Sequence, residues 1–595
     1  MNETHLALMI HNRIHMYGER TALRYIESGH WKDISWNAMG ERIRAVAKGL
    51  LEMGIKAGDM VAIFSQNRPE WTIADYGILT IRGVSVPVYA TDTAKQAEYI
   101  VNDAETRIIF VGSQEQYDKV KKFAGTSTYL KKIIVFDNDV RLDGRNTAMY
   151  FKDFLDLGKK SGGDAELEDR LNNASIDDLA TVIYTSGTTG EPKGVMLHHF
   201  TFYHCFIANK KRLEVSEQDV SLCFLPLSHI FERAWCYFAF DNGMVINYCD
   251  NTFRIIECIK EVKPTVMCAV PRFYEKIYST VFERMESAPP SKQNLFKWAI
   301  EVGKQVYLRR KEKMMIPPGL KLKHMIADRL VLKKIREIVG GHIRFFPCAG
   351  APLSKEIEEF FHSAGIFIAY GYGLTETCAT VTVHEKYHFK PGTVGKPLDG
   401  IQVKIADTGE ILVKGPTVTK GYYKKPEATA EAFVDGWFKT GDVGIIEDGY
   451  LTITDRIKDL MKTSGGKYIA PQVVETMIGK DHYIEQLTII GDARKFVSAL
   501  IVPAFDALVE YAKTHGITYS SREDLVKNPA IVQFYQKRIA ENSKDLAGHE
   551  QIKKFILLRR SFTQEAGEMT PTMKLKRKVI IEKYKDIIED MYRDR

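Results

Sequence analysis

Leu179-Ala180-Thr181-Val182-Ile183-Tyr184 passes directly into Thr185-Ser186-Gly187-Thr188-Thr189-Gly190-Glu191-Pro192-Lys193-Gly194. A short apolar, β-branched run of this kind reads as a buried strand. The glycines behind it let the backbone turn sharply and present N–H groups to an anion. Thr185, Ser186, Thr188 and Thr189 add hydroxyl donors and Lys193 adds charge, so strand, glycine loop and lysine together describe a phosphate clamp. An ordinary turn needs one or two glycines, not four clustered hydroxyls plus a lysine. The loop lacks the Gly-Lys-Ser/Thr ending of a P-loop, the residue that holds magnesium in those NTPases.

Outward from this stretch, short apolar runs recur between helical segments: Met60 to Phe64, Val84 to Val88, Ile108 to Val111, Ile133 to Phe136, Val266 to Val270, Ile343 to Phe346 and Ile366 to Ala369. Continuous apolar strands separated by helices predict an α/β fold of parallel sheets covered on both faces. From about 279 to 341 the texture becomes charged helix, with Val331, Ile335 and Ile338 on one side and Lys333, Lys334 and Arg336 on the other. From about 395 to 457 short strands and turns such as Asp407-Thr408-Gly409 and Glu447-Asp448-Gly449 predict a small β-rich subdomain. Beyond Asp455-Arg456-Ile457-Lys458-Asp459 the chain restarts with its own strands and polar helices. The expected division is 1–457 and 458–595, the second an α+β domain.

A chain of 595 residues is too long for one core. Its 45% hydrophobic and 27% charged residues are those of an ordinary globular protein, and no apolar run is long enough to span a bilayer or serve as a signal core. The expectation is a cytoplasmic protein. The net charge of +7 is spread along the chain, which argues against nucleic acid as a partner. All eight cysteines lie between Cys205 and Cys378 without a Cys-x-x-Cys pair, and are expected to be reduced and buried. One segment departs from the average: Lys304, Arg309, Arg310, Lys311, Lys313, Lys321 and Lys323 stand against the single acid Glu312. It reads either as a solvated helix face or as a peripheral contact with an anionic membrane surface.

The Thr185 to Lys193 loop resembles the signature of the adenylate-forming superfamily, whose members include acyl-CoA synthetases, luciferases and peptide-synthetase adenylation domains. Further motifs fit: Tyr370-Gly371-Tyr372-Gly373-Leu374-Thr375-Glu376-Thr377, Ala349-Gly350-Ala351-Pro352-Leu353-Ser354, Gly436-Trp437-Phe438-Lys439-Thr440-Gly441-Asp442 and Met569-Thr570-Pro571-Thr572-Met573-Lys574. The resemblance implies Mg²⁺ on Glu376 and Thr185, Thr375 near the α-phosphate, and Tyr372 stacked beside adenine. It also implies Gly350, Ala351, Pro352, Tyr370, Gly371 and Gly373 around the base, Asp442 on the ribose hydroxyls and Arg456 on the nucleotide. Lys458 becomes the hinge of a mobile C-terminal domain, Gly465, Gly466 and Lys467 flank a coenzyme A channel, and Lys574 is the catalytic lysine alongside Lys193. Met573 stands where the family usually has glycine, which keeps Lys576 open as the alternative.

Phe224-Leu225-Pro226-Leu227-Ser228-His229-Ile230-Phe231-Glu232-Arg233 and Val270-Pro271-Arg272-Phe273-Tyr274-Glu275-Lys276-Ile277 narrow the likeness to bacterial long-chain fatty acyl-CoA synthetases. The implied reaction joins a long-chain fatty acid to coenzyme A with ATP as activator, through an acyl-adenylate. A fatty acyl-AMP or acyl-carrier-protein ligase, and a non-catalytic acyl- or nucleotide-binding membrane adaptor, are the alternatives. His229 reads equally as a lining of the acyl pocket or as a cap of the helix that follows, and Trp235 as an ordinary core aromatic.

Overall fold

Five of the predicted strands lie side by side. In the computed structural model, which describes residues 4–143, 147–185, 191–249, 251–570 and 574–593, a seven-stranded sheet runs Ala148–Tyr150, Lys132–Val135, Ile108–Val111, Met60–Phe64, Val84–Val88, Leu179–Thr185, Lys193–His198. All neighbours are parallel except the last pair, which is antiparallel. Met60–Phe64 and Val84–Val88 are buried at every position, so their lack of polar alternation is the sequence signature of a sheet covered on both faces. Helix Pro69–Thr80 is buried at every position but Glu70, whereas Ala94–Asp103 is amphipathic and starts with a Thr93–Gln96 capping box.

Two four-stranded sheets complete the large unit. One orders Val220–Cys223, Val245–Tyr248, Thr21–Glu27, His30–Ser35; the other Phe345–Cys348, Phe367–Tyr372, Thr382–Val383, Lys396–Pro397. Val266 to Val270 is not the strand its composition suggests. Between Pro264 and Pro271, which opens the next helix, the chain makes two isolated parallel bridges, Val266 with Phe345 and Ala269 with Cys348. The charged segment is helical: Pro271–Glu286, Pro290–Lys311, Pro318–Ala327 and Lys333–Ile338, the last two joined by a π turn over Asp328–Leu332.

The β-rich part is a five-stranded antiparallel sheet over residues 402–456. Its closing hairpin turns at Asp448-Gly449, both with positive φ, in the manner of a tight two-residue turn. A bulge then shifts the register between Val443 and Gly444, so that Asp442 faces Arg456. Without the extra residue the count from Glu447 opposite Tyr450 would set Asp442 against Asp455, two acids directly across from each other. A second apolar core begins at Met461 and shares no residue with the first. It is built on the mixed sheet Ile484–Ile490, Val497–Pro503, Ile552–Leu557 and helices that include Phe505–Thr514 and Pro529–Asn542. The eight cysteines are buried. No helix among the described residues is long and apolar enough to cross a membrane.

One buried ion pair fixes the strand that leads into the glycine loop. Arg233, 1% exposed, grips Asp75 through two nitrogens and donates to Thr181 Oγ1 at 2.7 Å; Tyr237 also donates to Asp75. Thr181 Oγ1 in turn donates to Ser85 O at 2.6 Å, so helix Ile230–Asp241 is tied to the middle of the main sheet. Removing one member of such a pair strands the other charge. Arg233→Leu is expected to cost ~3–5 kcal/mol, read as a lower urea midpoint, and Asp75→Leu in the same chain to restore much of it. An unchanged midpoint for Arg233→Leu would contradict this account.

Candidate active site

Thr185 and Lys193 end and begin the two antiparallel strands that flank the glycine loop, and they face each other across the ladder. Ser186, Gly187, Thr188, Thr189 and Gly190 lie outside the described residues. The Lys193 ammonium sits 5.1 Å from the centroid of the Tyr422 ring, and the Tyr422 hydroxyl donates to Glu376 Oε1 at 3.0 Å. This grouping is held by main chain. Met196 N donates to Gly421 O, Tyr423 N to Gly194 O and Thr419 N to Glu376 O, at 3.1, 2.8 and 2.7 Å. Tyr422 was not among the residues the motifs suggested; its only signal is the Gly421-Tyr422-Tyr423 step, which reads as an ordinary turn.

Glu376 follows the buried strand Phe367–Tyr372 on a 3₁₀ turn, Thr375–Thr377. Burial raises its carboxyl above the usual range, and the Tyr422 hydrogen bond opposes that shift. Its other neighbours explain the glycines. A Cβ on Gly371 would meet Thr382 O at 2.5 Å and one on Gly373 would meet Ala379 O at 1.9 Å, so both are required by protein backbone. Tyr370 is buried and ties down the Gly350–Pro352 loop: its hydroxyl accepts from Leu353 N at 3.0 Å and donates to Ala351 O at 3.1 Å. Gly350, Ala351 and Pro352 are exposed at the rim.

Asp442, 3% exposed, accepts the Tyr372 hydroxyl at 2.6 Å on one oxygen and Arg456 Nε at 2.9 Å on the other. Lys574 approaches from the second domain. Its side chain still meets solvent, yet the crowding of protein around it, with the Arg456 guanidinium adding, pushes the ammonium down to about 8 against the pull of Asp442 and Asp459. The Lys574 charge also reaches His229, whose imidazole is held down to about 4 chiefly by burial. His229 caps its helix, Nδ1 accepting from Phe231 N at 3.2 Å, so the capping role is realised beside the Lys574 ammonium. Lys576 acts instead on Asp92, a buried carboxyl raised to about 7 chiefly by burial. Tyr372, Asp442, Arg456, Lys574 and His229 thus form one group, and Lys193, Tyr422 and Glu376 another.

Two expected elements stand apart from both. Gly465, Gly466 and Lys467 are exposed, on a loop closed by Gly466 N to Thr463 O and Lys467 N to Thr463 Oγ1. Gly466 has φ +80 and open space where a side chain would be. Lys458 is also exposed, beside a turn in which Asp459 N and Leu460 N both donate to Arg456 O.

Beside Tyr372 lies a narrow apolar cleft with a cavity volume of about 40 Å³, walled by Phe206, Trp235, Phe238, Ala349 and Gly371. Trp235 is therefore both a buried core residue, its Nε1 donating to Ser221 Oγ at 2.9 Å, and a wall of this cleft. Folding also brings Cys223, Glu232 and Cys236 within 4.8 Å of one another, a grouping the spacing did not announce. Burial raises Glu232 to about 8 and both thiols upward, which makes the trio a neutral cluster.

A profile of AMP-binding enzymes matches residues 10–423, and one of the AMP-binding enzyme C-terminal domain matches residues 458–595. The chain belongs to the AMP-binding enzyme family. It is 36% identical to the long-chain-fatty-acid–CoA ligase FadD15 of Mycobacterium bovis over 95% of this chain and 93% of that one. It is 31% identical to fatty acyl-CoA synthetase B of Dictyostelium discoideum, over 97% and 87%. Among solved structures, the A domain of carboxylic acid reductase from Segniliparus rugosus, in complex with AMP and a co-purified carboxylic acid, has the same fold, with a TM-score of 0.77 at 20% identity over 100% of this chain and 94% of that one.

A lysine with its proton affinity lowered to about 8 is roughly half free amine at pH 8, whereas an ordinary lysine at ~10.4 is well under 1%. Lys574 is therefore expected to react with limiting acetic anhydride at pH 8 at least ~10-fold faster than exposed lysines, by peptide mass spectrometry. An ordinary rate would contradict the crowding of protein around the Lys574 ammonium.

Proposed function

We propose that this protein is an AMP-forming long-chain fatty acid–CoA ligase. The observation that carries the reading is the near full-length similarity to enzymes named for long-chain substrates; a narrow apolar cleft walled by Tyr372 adjoins the Asp442 and Arg456 group. A saturated chain gains ~0.8 kcal/mol for each methylene it buries, so binding needs few polar contacts beyond the carboxylate.

In this reading the fatty carboxylate attacks the α-phosphorus of ATP in line, the bond from that phosphorus to the β-phosphate bridge breaks, and pyrophosphate leaves. The coenzyme A sulfur then attacks the acyl carbon, AMP departs and the thiol proton is lost. No protein nucleophile is required; positioning and charge supply the acceleration. Thr185, Ser186, Gly187, Thr188, Thr189 and Gly190 cradle phosphates, with Lys193 as their cation. Asp442 takes the ribose hydroxyls, and Gly350, Ala351 and Pro352 border the base. Lys574 neutralises the charge that develops on the α-phosphoryl oxygens, while Lys576 faces Asp92. Glu376 is a hard oxygen donor whose partner is a neutral tyrosine, and no cation forms an ion pair with it among the described residues. That suits Mg²⁺, which Glu376 and Thr185 would hold and which would supply further charge neutralisation on the phosphates.

The second step needs a different shape. The exposed Gly465-Gly466-Lys467 loop is proposed to replace Lys574 at the site by rotation of the 458–595 domain about Lys458. Contacts between the units are polar: Lys480 with Glu356, Arg272 with Glu485, His482 with Glu283, and Gln564 with Thr91 O. Such pairs separate readily in water.

Assaying ATP-dependent acyl-CoA formation across C2 to C20 acids tests the assignment. The expected result is a maximum at C12 to C18 with AMP and pyrophosphate in equal amounts. AMP release without a CoA ester would shift the acceptor to a carrier protein, and a C2 maximum would sink the long-chain reading. Lys574→Ala should slow adenylation ~10² to 10³-fold and leave thiolation of supplied acyl-AMP largely intact; Gly466→Leu should do the reverse. Equal losses in both half-reactions for both variants would contradict the rotation.

A further inference from the structure

The helical insert carries a surface that the nucleotide chemistry does not use. Helix Pro318–Ala327 packs Ala327, with Leu320 beside it, onto helix Pro290–Lys311 through a small separate core of Ala299, Val302, Ala327 and Leu332. Its opposite side presents Leu322, Met325 and Ile326 to solvent; Met314 and Met315 precede it, the latter 87% exposed, and Leu330 follows. Of the twenty large apolar side chains exposed among the described residues, these six fall between 314 and 330. Leu322, Met325 and Ile326 make one apolar helix face, which is more than the scatter of single apolar residues on any surface.

Charge is arranged around the patch. On a helix of 3.6 residues per turn, 322, 325 and 326 share a face, and Lys321 and Lys323 flank it on either side. No Asp or Glu occurs between Lys313 and Ala327, while Arg309, Arg310, Lys311 and Lys313 stand just before. The acid that follows, Asp328, is already held by Arg336 at 2.7 and 2.9 Å. Burial and the Arg310 charge push His324 downward, so it adds no charge at neutral pH.

We propose that this face lies flat on an anionic lipid bilayer. An apolar strip with lysines on both flanks seats its hydrocarbon at the level of the acyl chains while the ammonium groups extend to headgroup phosphates. The short helix is braced for this. Gly303 on its supporting helix has no room for a side chain, because a Cβ would lie 2.1 Å from Ser363 O, and Lys304 pairs with Glu359 at 3.1 Å. Both contacts are to helix Lys355–Ser363, which follows the Gly350–Pro352 rim, so the docking face is one helix layer from the site. The purpose rests on the long-chain reading, since such acids reside in bilayers; the docking itself does not need a substrate.

The test is sedimentation of the full-length protein with vesicles of phosphatidylcholine alone or mixed with phosphatidylglycerol. Partition onto the mixed vesicles is expected to exceed that onto phosphatidylcholine at least ~10-fold and to fall as salt rises. Met315→Ser/Leu322→Ser/Met325→Ser and Lys321→Glu/Lys323→Glu should each lower it at least ~10-fold while melting temperature and turnover of a monomeric medium-chain acid stay unchanged. Binding indifferent to headgroup charge, or equal in the variants, would overturn the proposal. So would a concentration-dependent dimer abolished by the apolar variant, which would make the face a self-association surface. Vesicle binding without long-chain activity would overturn the substrate reading instead and leave the docking face standing.

Discussion

Asp442 is a buried carboxylate with both oxygens engaged, and the arrangement of the site turns on it. Tyr372 reaches it from the end of a strand in the large unit, and Arg456 reaches it from the opposite arm of a hairpin. The pairing of Asp442 with Arg456 depends on the bulge between Val443 and Gly444, because a one-residue slip would set Asp442 against Asp455. A buried charge of this kind needs partners, and those partners bring an aromatic ring, a guanidinium and, through its field, the Lys574 ammonium to one place. The site is thereby held together by protein contacts alone.

The two units meet through charged and polar pairs, and each has its own apolar core. Within the large unit the opposite logic holds. The Arg233–Asp75 pair is sealed from water and anchors helix and sheet rigidly behind the glycine loop. A rigid frame with a loosely held partner suits two reactions at one site, where the substrate must stay and the catalytic groups must change. The neutral state of His229 fits the same plan, since a second cation near Lys574 would raise the cost of holding both charges in one place.

Much of the α/β frame was legible because strands buried on both faces leave uninterrupted apolar runs; Met60–Phe64, Val84–Val88 and Ile108–Val111 coincide with the observed strands. Val266 to Val270 misled because composition reports burial and not pairing, and two flanking prolines cut the ladder short. The site motifs gave residue types and order, but not who holds whom. Tyr370 supports a loop and Gly371 and Gly373 make room for backbone, which a local pattern cannot distinguish from ligand contact. Tyr422 escaped notice because its position beside Lys193 and Glu376 depends on hydrogen bonds across more than two hundred residues of chain. The basic run was visible, whereas its apolar face emerged only when the helix showed which side it buries.

The chemistry turns on attack of the substrate carboxylate itself on the α-phosphorus. Incubating the enzyme with ATP, coenzyme A and palmitate labelled with ¹⁸O in both carboxylate oxygens, and weighing the products, tests it directly. The account predicts one ¹⁸O in AMP, one in the acyl-CoA carbonyl and none in pyrophosphate. Unlabelled AMP, or label in pyrophosphate or orthophosphate, would contradict it.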